Sequence, residues 1–269
     1  MKADLHIHST ASDGSCTPQE IVAQAVRSGM DAIALTDHDT IAGNGACAQA
    51  CMQAGIGFVH GVELSACSTV EVHILGYAFD PTHDELLTRL QEFGRKRAER
   101  ARKIVHRLQD FRIELDADEL CAIPNVGRMH IAKMMIARGY CASVNEAFDR
   151  YLGQNGKAYV PSGRIIPAHA VELITRAGGV AVLAHPARFL IGGKLDDLIG
   201  GLKPLGLRGL EAYYPSHDSP TVQRLQQIAA RNGLFCTGGS DFHGSNRPNV
   251  SIGCVDFCPS GRCRRELRF

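Results

Sequence analysis

Apolar and polar positions along this chain follow two periods, and the change between them marks its elements. At the start Leu5 and Ile7 alternate with His6 and His8, the period of a strand, so both imidazoles leave one face. Over 18–29 the apolar residues Ile21, Val22, Ala25 and Val26 recur at helical spacing, with Pro18 in the first turn and Gly29 as the stop. Residues 31–35 then form a short apolar strand that runs into Thr36-Asp37-His38-Asp39-Thr40. A helix fits 42–54, a strand fits 57–61 and ends in Val62-Glu63-Leu64, and a further strand over 70–79 contains His73. Strand and helix alternate here as in parallel β/α units, and the short apolar runs suit buried parallel strands.

The pattern changes at Thr82. A helix over 84–108 carries Leu86, Leu87, Leu90, Phe93, Ile104, Val105 and Leu108 on one side. Its other side carries Arg95, Lys96, Arg97, Arg100, Arg102, Lys103 and Arg107. Shorter helical pieces fit 117–121, 129–137 and 144–152, and no strand pattern interrupts them. Alternation then resumes: a helix over 167–177, a strand over 180–184 ending in His185-Pro186, a strand over 207–214 ending before His217, a helix over 221–232, and a strand over 234–237 ending in Gly238-Gly239-Ser240-Asp241-Phe242-His243. Residues 250–255 predict one last strand. The expected organisation is an α/β barrel built from 1–81 and 165–269, with 82–164 as an inserted helical subdomain acting as a lid on the substrate.

Composition adds limits. Of 269 residues, 45% are hydrophobic and 21% charged, as in ordinary globular enzymes. No apolar run is long enough to span a bilayer, and the immediate strand leaves no room for a leader, so a cytoplasmic protein without membrane contact is expected. The ten cysteines include no Cys-x-x-Cys pair and read as reduced thiols; Cys258 and Cys263 alone are a weak case for a soft metal. Net charge is +1, unevenly spread: 82–164 holds 15 Lys and Arg against 11 Asp and Glu, and the remainder 14 against 17. That excess is too small to hold a long duplex, and suits a small anionic substrate or a short nucleic acid.

The chemistry lies at the strand ends. His6, His8, Asp13, His38, Glu63, His73, His185, Asp241 and His243 sit on, or just beyond, successive strands. In a β/α barrel these ends share one face, where the active site forms. Each residue alone has a plain structural reading, but imidazoles and carboxylates gathered on one face repel or stay unsatisfied without cations. Asp241-x-His243 repeats the geometry of His6-x-His8. His60, His83, His106 and His169 have no such placement.

Asp4-x-His6-x-His8-Ser9, Thr36-Asp37-His38-Asp39-Thr40, Ala184-His185-Pro186 and Ser240-Asp241-x-His243 together resemble the motifs of the PHP (polymerase and histidinol phosphatase) phosphoesterases, in order across nearly the whole chain. The resemblance implies a distorted (β/α)7 barrel with a site for two or three divalent metals. It places His6, His8, Glu63 and Asp241 on one ion, Asp13, His38 and His243 on a second, and Glu63 as a bridge to a third completed by His73 and His185. The early Glu63 and the helical insert, with Gly127-Arg128-x-His130 and Gly156-Lys157-x-Tyr159, look most like the 3′,5′-nucleoside bisphosphate phosphatase branch, some members of which trim short RNA from its 5′ end.

Mixed imidazole and carboxylate ligands suit Mn²⁺, the first expectation, and also Zn²⁺ or Fe²⁺. Such ions supply a hydroxide nucleophile at neutral pH and neutralise phosphoryl oxygens. No Gly-x-Ser-x-Gly elbow and no phosphate loop compete with this reading. Asp13 and His217 are the candidates to assist the leaving alkoxide. Lys96, Arg100, Lys103 and Arg107 recur on one helix side, so Arg100, Lys103, Arg128, His130 and Lys157 are the expected contacts to a second phosphate, although a solvated face explains the charge run as well. The expected reaction is removal of the 3′-phosphate of a 3′,5′-nucleoside bisphosphate. The alternatives are a histidinol-phosphate type of monoesterase and a non-catalytic module that supports a partner; the complete set of strand-end residues weighs against the last.

Overall fold

The computed structural model describes residues 1–67, 71–161, 163–188 and 194–269. The chain divides into two compact units, Met1–Thr88 with Arg164–Phe269, and Arg89–Gly163.

The first unit is a nearly closed barrel. Its strands are β1 (Ala3–Asp4), β2 (Ala32–Leu35), β3 (Gly57–Cys67), β4 (Glu71–Tyr77), β5 (Val180–Leu183), β6 (Leu207–Tyr213) and β7 (Phe235–Gly238), in that order across a 7-stranded sheet. The two edges meet beyond the regular strands. Leu5 N–H donates to Gly238 O, Asp241 N–H to His6 O and His8 N–H to Phe242 O, so the His6 and His8 segment is itself the closing seam.

All neighbours pair in parallel except β4, which runs antiparallel to both β3 and β5. A strand joined to its neighbour without a helical crossover can pair only antiparallel. The reversal corrects the expectation of uniform parallel β/α units for the first eighty residues, and it explains why His73 lies near the start of its strand. The first residue of the predicted 70–79 strand, Val70, lies outside the described residues.

Helices α1 (Pro18–Arg27) and α2 (Asn44–Ala54) follow β1 and β2. The β2 side chains separate by period two: Ala32 and Ala34 join the barrel interior with Leu5, Leu75, Tyr77 and Val182, while Ile33 and Leu35 pack with Ile21, Val22, Cys47 and Cys51 of the helices. Small residues on the inner face fit the confined lumen.

The Arg89–Gly163 unit is helical. It takes most of α3 (Asp84–Gln109), with α4 (Ala117–Cys121), α5 (Arg128–Ala137) and α6 (Val144–Ala147), the last continuing into a wide turn over Phe148–Leu152. Ala101, Ile104, Val105 and Leu108 of α3 make one buried stripe against Leu120, Ile131, Met135 and Leu152.

Helices α7 (Pro167–Arg176), α8 (Lys194–Leu202), α9 (Ser219–Arg231) and α10 (Gly261–Leu267) complete the barrel unit. The sequence reading leaves α8 without an element, although Leu195, Ile199 and Leu202 recur at helical spacing and are buried. The predicted strand over 250–255 is absent. Those residues form turns, with Gly253 at φ 74° and its N–H donated to Asp4 Oδ2, because the closed seam leaves no edge for another strand to pair. The C-terminal helix α10 buries Cys263 and Leu267 in the barrel interior cluster. No helix among the described residues is long and apolar enough to cross a membrane. No disulfide joins cysteines among the described residues.

Candidate metal centre

Two aspartates shape the loops that carry the candidate ligands. Asp4 accepts the backbone N–H of Ser240 at 2.9 Å and of Gly253 at 2.9 Å. Asp37 accepts Ser9 N–H, Ser9 Oγ and Ser12 Oγ at 2.8, 2.7 and 2.5 Å. Gly239 is required where the seam closes, because a Cβ there would stand 2.4 Å from His6 Cβ and 2.5 Å from His6 N. Asp39, His185 and Asp241 hold positive φ values of 53°, 26° and 54°, conformations that persist only where surroundings impose them.

Within this frame the strand ends converge. Glu63 is at the centre, 1% exposed. Its Oε2 lies 3.2 Å from His6 Nε2, 3.1 Å from His8 Nε2 and 3.1 Å from His38 Nδ1. Its Oε1 lies 2.7 Å from His73 Nδ1 and 3.1 Å from His185 Nε2. Asp241 Oδ1 is 3.4 Å from His6 Nε2 and 3.2 Å from His8 Nε2. Asp13 Oδ1 reaches His243 Nε2 at 3.2 Å, and Asp13 Oδ2 reaches His38 Nε2 at 4.0 Å.

These atoms fall into overlapping groups spaced as metal ligands are: His6, His8, Glu63 and Asp241; His8, Asp13, His38 and His243; His38, Glu63 and His73; and His6, His185 and Glu211. All nine residues singled out at the strand ends are among them. Their donor chemistry fits divalent cations. Glu63 Oε2 and His8 Nδ1 are buried and take part in no hydrogen bond among the described residues, despite three imidazole nitrogens around that oxygen. Acceptor atoms turned toward one another through a dry space are what a cation satisfies.

Electrostatics agree. Burial pushes the Glu63 carboxyl up, but the imidazoles of His38, His73 and His6 overrule it and hold the group well below the usual carboxylate range. Asp13 and Asp241 are held low in the same way, Asp13 by His38 and His243, Asp241 by His6 and His243. For His8 the carboxylates of Asp241 and Glu63 outweigh burial and raise it to about 10.

A second layer of side chains went unnoticed in the sequence. Asp241 Oδ2 accepts Tyr214 OH at 2.7 Å and an Arg247 N–H. Glu71 Oε1 is 3.2 Å from His73 Nε2, and its other oxygen pairs with Arg164. Glu211 faces His6 Nδ1 at 2.9 Å. Two signals were available, a glutamate in the predicted strand over 207–214 and Glu71 two residues before His73 on one strand face; Tyr214 and Arg164 depend on contacts between distant segments.

The remaining predicted residues join none of these ligand groups. His217 donates Nδ1–H to Ala212 O at 2.9 Å and packs on Tyr214, with ring centroids 5.2 Å apart, but joins none of the ligand groups. Arg100 Nε donates to Val160 O at 2.9 Å, Arg107 to Tyr159 O, and Arg128 Nη1 to Leu152 O at 3.3 Å. His130 Nδ1 accepts Gly127 N–H, Lys157 Nζ lies 5.6 Å from the centre of the Phe111 ring, and Lys103 is exposed. All of these except His217 belong to the helical unit.

Residues 4–122 match the family model described as the PHP domain. The chain is 37% identical over 246 residues to a 5′-3′ exoribonuclease of Haemophilus influenzae, covering 90% of each chain. It is 33% identical to a 3′,5′-nucleoside bisphosphate phosphatase of Chromobacterium violaceum, covering 95% of this chain and 92% of that one. Among solved structures, an amidohydrolase from Chromobacterium violaceum with bound sulfate superposes with a TM-score of 0.89 at 33% identity, covering 100% of this chain and 96% of the other.

Proposed function

The chain belongs to the PHP family of metal-dependent phosphoesterases, and from that premise we propose that it removes the 3′-phosphate of 3′,5′-nucleoside bisphosphates, such as adenosine 3′,5′-bisphosphate, giving the 5′-monophosphate. The observation that carries this reading is the Glu63-centred cluster, complete in a chain similar over nearly its whole length to a phosphatase of that name. His6, His8, Glu63 and Asp241 would hold one ion; Asp13, His38 and His243 a second; Glu63, His73 and His185 a third. Manganese is the first expectation, with zinc or iron as substitutes. When bound, such ions lower the pKa of water and neutralise phosphoryl charge.

The protein's own part is placement. Closely spaced imidazoles and carboxylates on rigid strand ends bring the scissile phosphate and the ions to one point, where orientation alone supplies much of the rate. Asp13, with a side chain 22% exposed and its carboxyl held ionised by His38 and His243, is the candidate to assist the leaving 3′-oxygen by orienting the group that protonates it, not by giving a proton of its own. His217, with its proton committed to Ala212 O, offers Nε2 as the alternative. Lys103, Lys157, Arg100, Arg128 and His130 are the proposed recognition set for the second phosphate. A second reading, stepwise removal of nucleotides from the 5′ end of short RNA, is favoured by the similarity to the Haemophilus influenzae exoribonuclease.

The test is phosphate release with Mn²⁺ from adenosine 3′,5′-bisphosphate, 3′-AMP and 5′-AMP, beside mononucleotide release from a short labelled RNA. Turnover of the bisphosphate about two or more powers of ten above 3′-AMP in kcat/KM supports the first reading, as two charge-assisted phosphate contacts require. RNA trimming without bisphosphate hydrolysis replaces it with the second.

A further inference from the structure

Glu211 lies within β6, fully buried, and a carboxylate there persists only where donors or charge compensate it. Two groups do. Oε1 faces His6 Nδ1 at 2.9 Å, and Oε2 accepts the backbone N–H of His185 at 2.7 Å. Both partners turn ligand atoms the other way, into the cluster. His6 Nε2 approaches Glu63 Oε2 and Asp241 Oδ1, and His185 Nε2 approaches Glu63 Oε1. The two rings stack, with centroids 5.6 Å apart and planes 21° from parallel. The His185 backbone, at φ 26°, needs an external hold, and the Glu211 hydrogen bond provides one.

The geometry points to Glu211 as a positioning residue shared by two metal subsites. It fixes His6 with Nδ1 protonated and Nε2 turned to one ion, and it holds the loop that presents His185 to another. The inference rests on the metal-dependent reading of the cluster. An imidazole whose second nitrogen donates to a carboxylate is a better aimed and more basic ligand. Glutamine at this position could still accept from His6 through its oxygen. Its amide NH₂ would then meet the His185 N–H, donor against donor, so one substitution disturbs both subsites.

The experiment uses the full chain, stripped with a chelator and titrated calorimetrically with Mn²⁺, with bound ions counted by elemental analysis. Glu211→Gln is expected to bind two of its ions on the order of 10–100-fold more weakly, while the ion on Asp13, His38 and His243 stays close to its wild-type affinity. The melting temperature of the stripped protein reports the fold separately. Wild-type protein loaded with Zn²⁺ gives a readout that needs no variant: ¹⁵N NMR should show His6 bound through Nε2 and protonated at Nδ1. Metal on His6 Nδ1, or equal ion affinities in Glu211→Gln and wild type, overturns the inference while leaving the proposed activity standing. Wild-type protein that takes up no ion overturns both.

Discussion

At the scale of single residues, the site depends on which atom of each side chain faces the cluster. His38 lies between two ligand groups, with Nδ1 toward Glu63 and Nε2 toward Asp13. His38→Ala should therefore lose one ion by elemental analysis and nearly all turnover, with an unchanged circular dichroism spectrum, since the barrel core does not include it. Tyr214 acts one step back. Its hydroxyl and Arg247 hold Asp241 Oδ2, leaving Oδ1 for the imidazoles. Tyr214→Phe removes a hydrogen bond to a charged acceptor, roughly 1.5–3 kcal/mol, and should weaken Mn²⁺ binding in a calorimetric titration without abolishing it. Unchanged affinity would show that Arg247 alone fixes the carboxylate. The ligand types were legible in the sequence because His, Asp and Glu at strand ends are few. Tyr214 and Glu211 were not, since each acts on a residue distant along the chain, and Arg247 reaches Asp241 across a turn that no strand or helix period predicts.

At the scale of elements, α3 separates two meanings of a basic face. Arg100 and Arg107 spend hydrogen bonds on the carbonyls of Val160 and Tyr159, whereas Lys103 is exposed. Helical periodicity puts all three on one side but says nothing of what each donates to. Arg100→Ala should thus cost stability, about 0.5–1.5 kcal/mol by denaturant titration, as well as any substrate contact. Lys103→Ala is the cleaner probe: a fall in kcat/KM for bisphosphates, with 3′-monophosphates unchanged, assigns it to the second phosphate, and no change on either substrate makes it a solvated charge. Helix α1 begins just after the Asp13 turn with a capping box. Thr17 N–H donates to Glu20 Oε2 at 2.8 Å, and Glu20 N–H to Thr17 Oγ1 at 3.3 Å. Thr17→Ala should cost about 1 kcal/mol, read as a lower thermal midpoint.

At the scale of the whole molecule, the cluster ties together every part of the barrel strand order, from the β1 seam to the segment after β7. Ions bound there act on the folded state alone, so saturation at 100 times Kd is worth about 2.7 kcal/mol. Chelation should lower the thermal midpoint and added Mn²⁺ should restore it; a midpoint indifferent to both would argue against tight sites. The sequence by itself made the barrel class legible, and it offered a helical stretch after Thr82 and a set of His, Asp and Glu residues at strand ends, because periodicity and side-chain type are local properties that survive without knowledge of neighbours. It did not determine the reversal of β4, the turns over 250–255, the C-terminal helix α10, or the side chains that aim the ligands. Those depend on which strand finds a free edge and which distant groups meet in a dry interior, and only the closed barrel decides that. Glu211 shows the difference most clearly: in the sequence it is one acid in a predicted strand, and in the fold it contacts both His6 and His185.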